Sequence, residues 1–175
     1  MGRWSRKFAA RVVDLVEAPR EADWLEFGCG TGALTQAVLS AADPRSILST
    51  DQSADFVAHA EAQIKDDRVT FQVANAARLP CPDASVDIVT SALVLNFIPE
   101  RQAAFAEMRR ILRPGGVVAL YGWGYPGGGM GFIDAFWKAA AEIDPDALEL
   151  DESARFPFCN EEGLTELCRA AGTSD

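Results

Sequence analysis

The chain has 175 residues, 49% of them hydrophobic and 24% charged, and carries a formal net charge of −10 at pH 7. That length holds one domain with a real core, and the acidic excess argues against a nucleic-acid backbone as partner, because phosphate binding needs a basic surface. No apolar run reaches the ~20 residues that span a bilayer.

The N-terminal segment sets Trp4, Phe8, Val12 and Leu15 or Val16 at helical spacing, so a packed amphipathic helix is expected within residues 1–20. Its Arg3, Trp4 and Arg6 are candidates for a lid over a pocket. "ADWLEFG" (22–28) predicts a short apolar strand, and residues 31–42 a helix with Leu34, Val38 and Leu39 on one face. "RSILST" (45–50) predicts a second strand, and residues 53–65 a helix carrying Phe56, Val57, Ala60 and Ile64. Further strands are expected at "RVTFQVA" (68–74) and "SVDIVTSAL" (85–93).

"PERQAAFAEMRRIL" (99–112) has the strongest helical pattern, with Pro99 suited to its first turn and "RPGG" (113–116) to its stop. "GVVALYG" (116–122) predicts a fifth strand, followed by a glycine loop, a helix at 131–143, an acidic connector and a final helix at 161–172. Beta–alpha alternation of this kind implies a doubly wound α/β domain with parallel strands, whose ligands bind beyond the carboxyl ends of the strands. The acid-rich stretch 141–175 reads as a solvated face.

Cys29, Cys81, Cys159 and Cys168 form no CxxC pair and have no ligand spacing with the single histidine, His59. Neither a zinc site nor a disulfide framework is expected, and a reducing, cytoplasmic setting fits. His59 falls within the second helix, away from the strand ends, and reads as a surface or packed residue.

The chemistry concentrates in "WLEFGCGTGALT" (24–35), where Gly28, Gly30 and Gly32 separate the first strand from the first helix. Glycines there let the chain leave the strand tightly and turn the helix's free N–H groups toward a ligand. Through Ala33 the run matches G-x-G-x-x-[GA], and Asp51 ends the second strand where a carboxylate accepts both hydroxyls of a ribose. Strand, loop, helix and acid together point to an adenosine-type ligand, with nicotinamide and flavin readings still open.

"LEFGCGTG", "TDQS", "VANAARLPCPDASVDIVTSALVLNFIP" and "EMRRILRPGGVVAL" resemble, in order and spacing, the motifs of class I S-adenosylmethionine-dependent methyltransferases. The likeness is greatest to the small-molecule, ubiquinone- and menaquinone-biosynthesis-like branch and covers about residues 20–122. It implies a Rossmann-like sheet in the order 3-2-1-4-5 and S-adenosyl-L-methionine as cofactor. The family's terminal antiparallel hairpin is expected to be absent, leaving the fifth strand as an edge for helices or a second copy to cover, in a chain read as truncated.

The resemblance also assigns roles. Glu26, Phe27, Gly28, Cys29, Gly30, Thr31 and Gly32 would border the methionine portion, with Glu26 facing its ammonium directly or through water. Asp51 would accept the ribose hydroxyls and Gln52 would lie along the adenosine. Asn75, with Ala76 and Ala77, replaces the family's aspartate and can still offer a carbonyl oxygen to the adenine amine. Ser91 and Leu93, at the end of the fourth strand, would lie near the methyl. For the acceptor, the stretches "LVLNFIP" (93–99) and "YGWGYPGGGMGF" (121–132) are expected, with Asn96, Tyr121 and Trp123 as candidates, although the aromatic residues fit an ordinary core equally well. No general base is identifiable. The leading expectation is a methyltransferase acting on a small molecule; a nicotinamide-dependent oxidoreductase and a non-catalytic cofactor-binding domain are the alternatives. Residues 21–122 would form the cofactor core of a single domain, and 123–175 its substrate side.

Overall fold

The computed structural model describes residues 2–172, with the side chains of residues 2–6 and 128 outside the description. The expected lid residues Arg3, Trp4 and Arg6 therefore lie outside the described side chains. The alternating pattern resolves into α1 (Gly2–Val16), β1 (Asp23–Phe27), α2 (Ala33–Ala41), β2 (Ser46–Asp51), α3 (Ala54–Gln63), β3 (Val69–Val73), β4 (Val86–Ala92), α4 (Arg101–Ile111) and β5 (Leu112–Tyr121). All five strands form one sheet in the order β3-β2-β1-β4-β5, and each neighbouring pair is parallel. The doubly wound reading and its strand order hold.

β1 is central, and its Trp24, Leu25, Glu26 and Phe27 are all buried. A parallel strand covered on both faces needs such an unbroken run. Trp24 packs in one cluster with Ala9 and Val13 of α1, Leu34 and Val38 of α2, Ile47 and Ile88. Full burial of each large side chain contributes about 1.5–3 kcal/mol. α4 turns Ala104, Phe105, Met108 and Ile111 inward, the spacing of one helical face.

Two boundaries differ from expectation. α4 begins at Arg101 with Glu100 as its cap, so Pro99 precedes the helix instead of sitting in its first turn. β5 begins at Leu112, so the "RPGG" run lies inside the strand. Val86 pairs with Leu112 and Ile88 with Val117, so five residues of β5 span a two-residue step of β4. The bulge absorbs Pro114 on a strand at the sheet's edge, where no ladder bond is lost. It also breaks the flat edge that would otherwise invite pairing.

The irregular segment between β3 and β4 is stapled by α4. Arg110 uses all five guanidinium N–H groups: it donates to both oxygens of Glu107, to the carbonyls of Cys81 and Leu79, and to Asp83. Glu107 in turn accepts from the Leu79 N–H at 2.8 Å. The "ARLPCPD" stretch is thus ordered by side chains where it lacks a ladder of its own.

The chain divides into two compact units, Met1–Tyr121 and Gly122–Asp175. The second contains α5 (Gly131–Ala141), a 3-10 turn (Pro145–Leu150), α6 (Glu152–Arg155) and α7 (Glu161–Ala170). The expected acidic connector is ordered because its acids act as caps. Asp144 accepts from the Asp146 N–H and Asp151 from the Ser153 N–H. Within this unit the Trp137 indole donates to Glu152, and the Tyr125 and Phe156 rings lie 5.7 Å apart. Among the described residues no helix is long and apolar enough to cross a membrane.

Arg110→Ala should release the stapled segment while leaving the sheet intact. Hydrogen exchange should accelerate at Leu79 and its neighbours but not in β1, with a loss of roughly 1–2 kcal/mol in urea unfolding.

Candidate functional site

A cavity of about 530 Å³ opens beyond the carboxyl ends of β1, β2 and β4, a volume typical of small-molecule and cofactor pockets. Its floor is the loop after β1. Gly28 and Gly32 have φ of +69° and +82°, and a Cβ at either would lie 2.4 Å from Val94 Cγ2 or 2.6 Å from Ile64 Cδ1. Two constraints coincide there: a left-handed backbone and no space for a side chain.

The loop is tied to β2 by its own N–H groups. Cys29 N–H donates to the Thr50 carbonyl at 2.9 Å, and Gly30 N–H to Asp51 Oδ2 at 2.9 Å. Asp51 Oδ1 accepts from the Ser53 N–H at 2.9 Å, and Ser53 caps α3. One carboxylate therefore joins the glycine loop to the start of α3 and borders the cavity. α2 starts after Gly32 with no side-chain cap, and Ala33 and Leu34 of its first turn also line the cavity. Uncapped N–H groups of this kind favour an anionic ligand group.

Glu26 lies beneath the loop. Its Oε2 accepts from the Thr35 hydroxyl and, at 2.6 Å, from the Ser49 hydroxyl. Burial pushes its pKa up and the Asp51 charge adds to the rise, against the opposing effect of the two hydroxyls. Burial likewise raises the Cys29 thiol, with Glu26 and Asp51 acting in the same direction. Cys29 is thus protonated and poorly nucleophilic. Tyr121 is pushed up to about 12 by burial and by Glu26. Its ring meets Phe8 of α1 edge-on, with centroids 5.3 Å apart.

The cavity brings together Glu26, Phe27, Gly28, Cys29, Gly30 and Thr31 with Asp51 and Gln52, and it also includes Ala76, Leu93 and Tyr121. The other expected residues stand outside its lining, each for a visible reason. Gly32 caps α2 and backs onto Ile64. Asn75 spends its Oδ1 on the Ala77 N–H at 2.8 Å, so both residues serve the turn that presents Ala76. Ser91 donates to the Phe27 carbonyl at 2.7 Å and stitches β4 to β1. Asn96 is buried in the 3-10 turn Leu95–Phe97, and its Nδ2 has no partner in the structure. Trp123 belongs to the second unit. His59 is exposed on α3.

An apolar wall completes the cavity: Val94, Phe97 and Ile98 of the expected "LVLNFIP" stretch line it, with Ala74, Ala92 and Phe56, which the sequence does not single out for the site. Phe56 of α3 is 48% exposed. Its position one turn beyond Asp51 was the available signal. In "LVLNFIP" the polar Asn96 drew attention, whereas its apolar neighbours face the cavity. Leu93 adopts φ 61° as the chain leaves β4, a left-handed conformation that costs a branched residue about 1–2 kcal/mol. Such strain clusters at binding sites.

A family model described as a methyltransferase domain matches residues 25–120. The chain is 30% identical over 180 residues to demethylmenaquinone methyltransferase of Roseiflexus sp., covering 97% of this chain and 75% of that protein. It is 35% identical over 107 residues to 27-O-demethylrifamycin SV methyltransferase of Amycolatopsis mediterranei, covering 55% and 36% respectively. Among solved structures, the CurJ carbon methyltransferase superposes with a TM-score of 0.70 at 22% identity, covering 94% of this chain and 46% of that one. The chain spans about half the length of most of the curated relatives it matches.

Gly28→Ala combines a left-handed backbone with a clash against Val94. It should lower stability by roughly 2–4 kcal/mol in denaturant titration, whereas Gly30→Ala, which meets no atom within 4 Å, should lose only the backbone part.

Proposed function

The chain belongs to the class I S-adenosylmethionine-dependent methyltransferases, and from that membership we propose that it binds S-adenosyl-L-methionine in this cavity and methylates a small-molecule acceptor. The observation that carries the reading is Asp51: a carboxylate at the end of β2, anchored to the glycine loop and bordering a cavity of suitable size. Each Asp51 oxygen accepts one backbone N–H and keeps acceptor capacity for a ribose hydroxyl. Glu26 and the backbone of residues 28–31 would hold the methionine end, and the uncapped start of α2 would favour its carboxylate. Gln52, Phe56 and Ala76 would border the adenosine.

When bound, the cofactor supplies a sulfonium whose methyl is primed for in-line displacement. The protein's part is to align an acceptor and exclude water. Leu93, Val94, Phe97 and Ile98 give the acceptor side an apolar wall, with Phe97 68% exposed. Tyr121 adds one hydroxyl, protonated at neutral pH. This lining suits an aromatic or otherwise apolar acceptor, in keeping with relatives named for a demethylated menaquinone and a demethylated rifamycin. Loss of a charge-assisted hydrogen bond is worth about 1.5–3 kcal/mol.

Asp51→Ala should therefore weaken S-adenosylhomocysteine about 10- to 100-fold by calorimetric titration, with the fold intact by circular dichroism. Asp51→Asn, which retains one oxygen acceptor, should lose less. S-adenosylhomocysteine should raise the melting temperature where NADH does not; the reverse would favour the oxidoreductase reading. Transfer of a labelled methyl to phenols or quinones, in preference to polar amines, would support the proposed acceptor class.

A further inference from the structure

Three oxygens beneath the glycine loop form a closed triangle. Glu26 Oε2 contacts Thr35 Oγ1 and lies 2.6 Å from Ser49 Oγ, and the two hydroxyls lie 2.8 Å from each other. Every edge is a hydrogen-bond distance, so three protons are needed to fill them. The two hydroxyls carry one proton each and a carboxylate carries none. With Glu26 ionised, one edge would be two oxygens facing each other with nothing between. With Glu26 protonated on Oε2, the count closes: the acid donates to one hydroxyl, that hydroxyl to the other, and the last one back to the acid. Rings of this kind reinforce themselves in a low-dielectric site.

The surroundings agree. Glu26 is 1% exposed, and the titratable groups that face it are Asp51 at the end of β2, Cys29 in the loop and Tyr121 on β5. Each is neutral or negative, and among the described residues no cation acts on its carboxyl. Desolvation and the Asp51 charge both favour the neutral acid. Yet Glu26 borders the cavity, so a cation entering there meets it directly.

We infer that Thr35 and Ser49 are positioning residues of the cofactor site: with Glu26 they form a proton ring that holds this acid neutral until the cofactor's ammonium arrives. Glu26 then releases its proton to solvent and accepts a hydrogen bond from the ammonium as a carboxylate. Thr35 and Ser49 then turn both their protons to Oε2, with two protons now serving the two edges at the carboxylate. The inference rests on the proposed cofactor and adds a coupling to it: binding expels a proton. Because ionised Glu26 is the form that binds, affinity rises with pH up to the point where Glu26 ionises without ligand, and is flat above it.

Titration calorimetry at neutral pH in buffers of different ionisation enthalpy counts the protons. S-adenosylhomocysteine should release about one proton per site, and methylthioadenosine, which lacks the amino acid, should release none. Glu26→Gln reproduces the neutral acid's shape and cannot ionise; it should fold, bind S-adenosylhomocysteine more weakly and release no proton. Infrared spectroscopy gives a second readout, since a protonated-carboxyl C=O band should be present in the wild-type protein, absent in Glu26→Gln and lost when S-adenosylhomocysteine is added. Binding without proton release, equal release with methylthioadenosine, or no protonated-carboxyl band would overturn the ring while leaving the cofactor reading standing. Absence of any binding by a folded sample would overturn both.

Discussion

Main chain passing where no Cβ fits is the constraint on which the carboxyl end of the sheet depends. Gly28 runs against Val94, and Gly32 against Ile64. That closeness lets the end of β1, the start of α2 and the Asp51 carboxylate share one small volume. Backbone N–H groups held this way need no rotamer ordering, so the loop is preorganised in a manner that flexible side chains would not match. Val94 and Ile64 are therefore as much part of the loop's geometry as the glycines are, because they set how near the backbone can come.

Two carboxylates face this volume, and they are stabilised differently. Asp51 takes two backbone N–H groups, one on each oxygen. Glu26 takes two hydroxyls and is buried below it. The Asp51 charge disfavours ionisation of Glu26, and a ligand bearing a sulfonium and an ammonium would offset that repulsion. Two acids bordering one cavity favour a cationic ligand there.

The cofactor half was legible in the sequence because each of its parts breaks a local rule. Glycines cluster where a strand should become a helix, an acid ends an apolar strand, and Glu26 interrupts a buried run. The acceptor side broke none. The "LVLNFIP" stretch was placed by its position after the fourth strand, whereas Phe56 looks like any apolar helix residue in one dimension, and only the fold brings it to the cavity. Thr35 and Ser49 were invisible for the same reason: each is an ordinary hydroxyl residue until β1, β2 and α2 bring them to Glu26. Ser91 and Asn75 each hydrogen-bond to the backbone, a use of a polar side chain at a strand end that the sequence alone does not distinguish from ligand binding. The start of β5 was misplaced because a proline and two glycines signal a stop, whereas an edge strand accommodates them as a bulge.

The most direct measurement is a crystal structure of the chain soaked with S-adenosylhomocysteine. The account predicts ribose oxygens within hydrogen-bond distance of the Asp51 carboxylate, with the amino group on the Glu26 side of the glycine loop. Density for the ligand elsewhere, or a ribose turned away from Asp51, would contradict it.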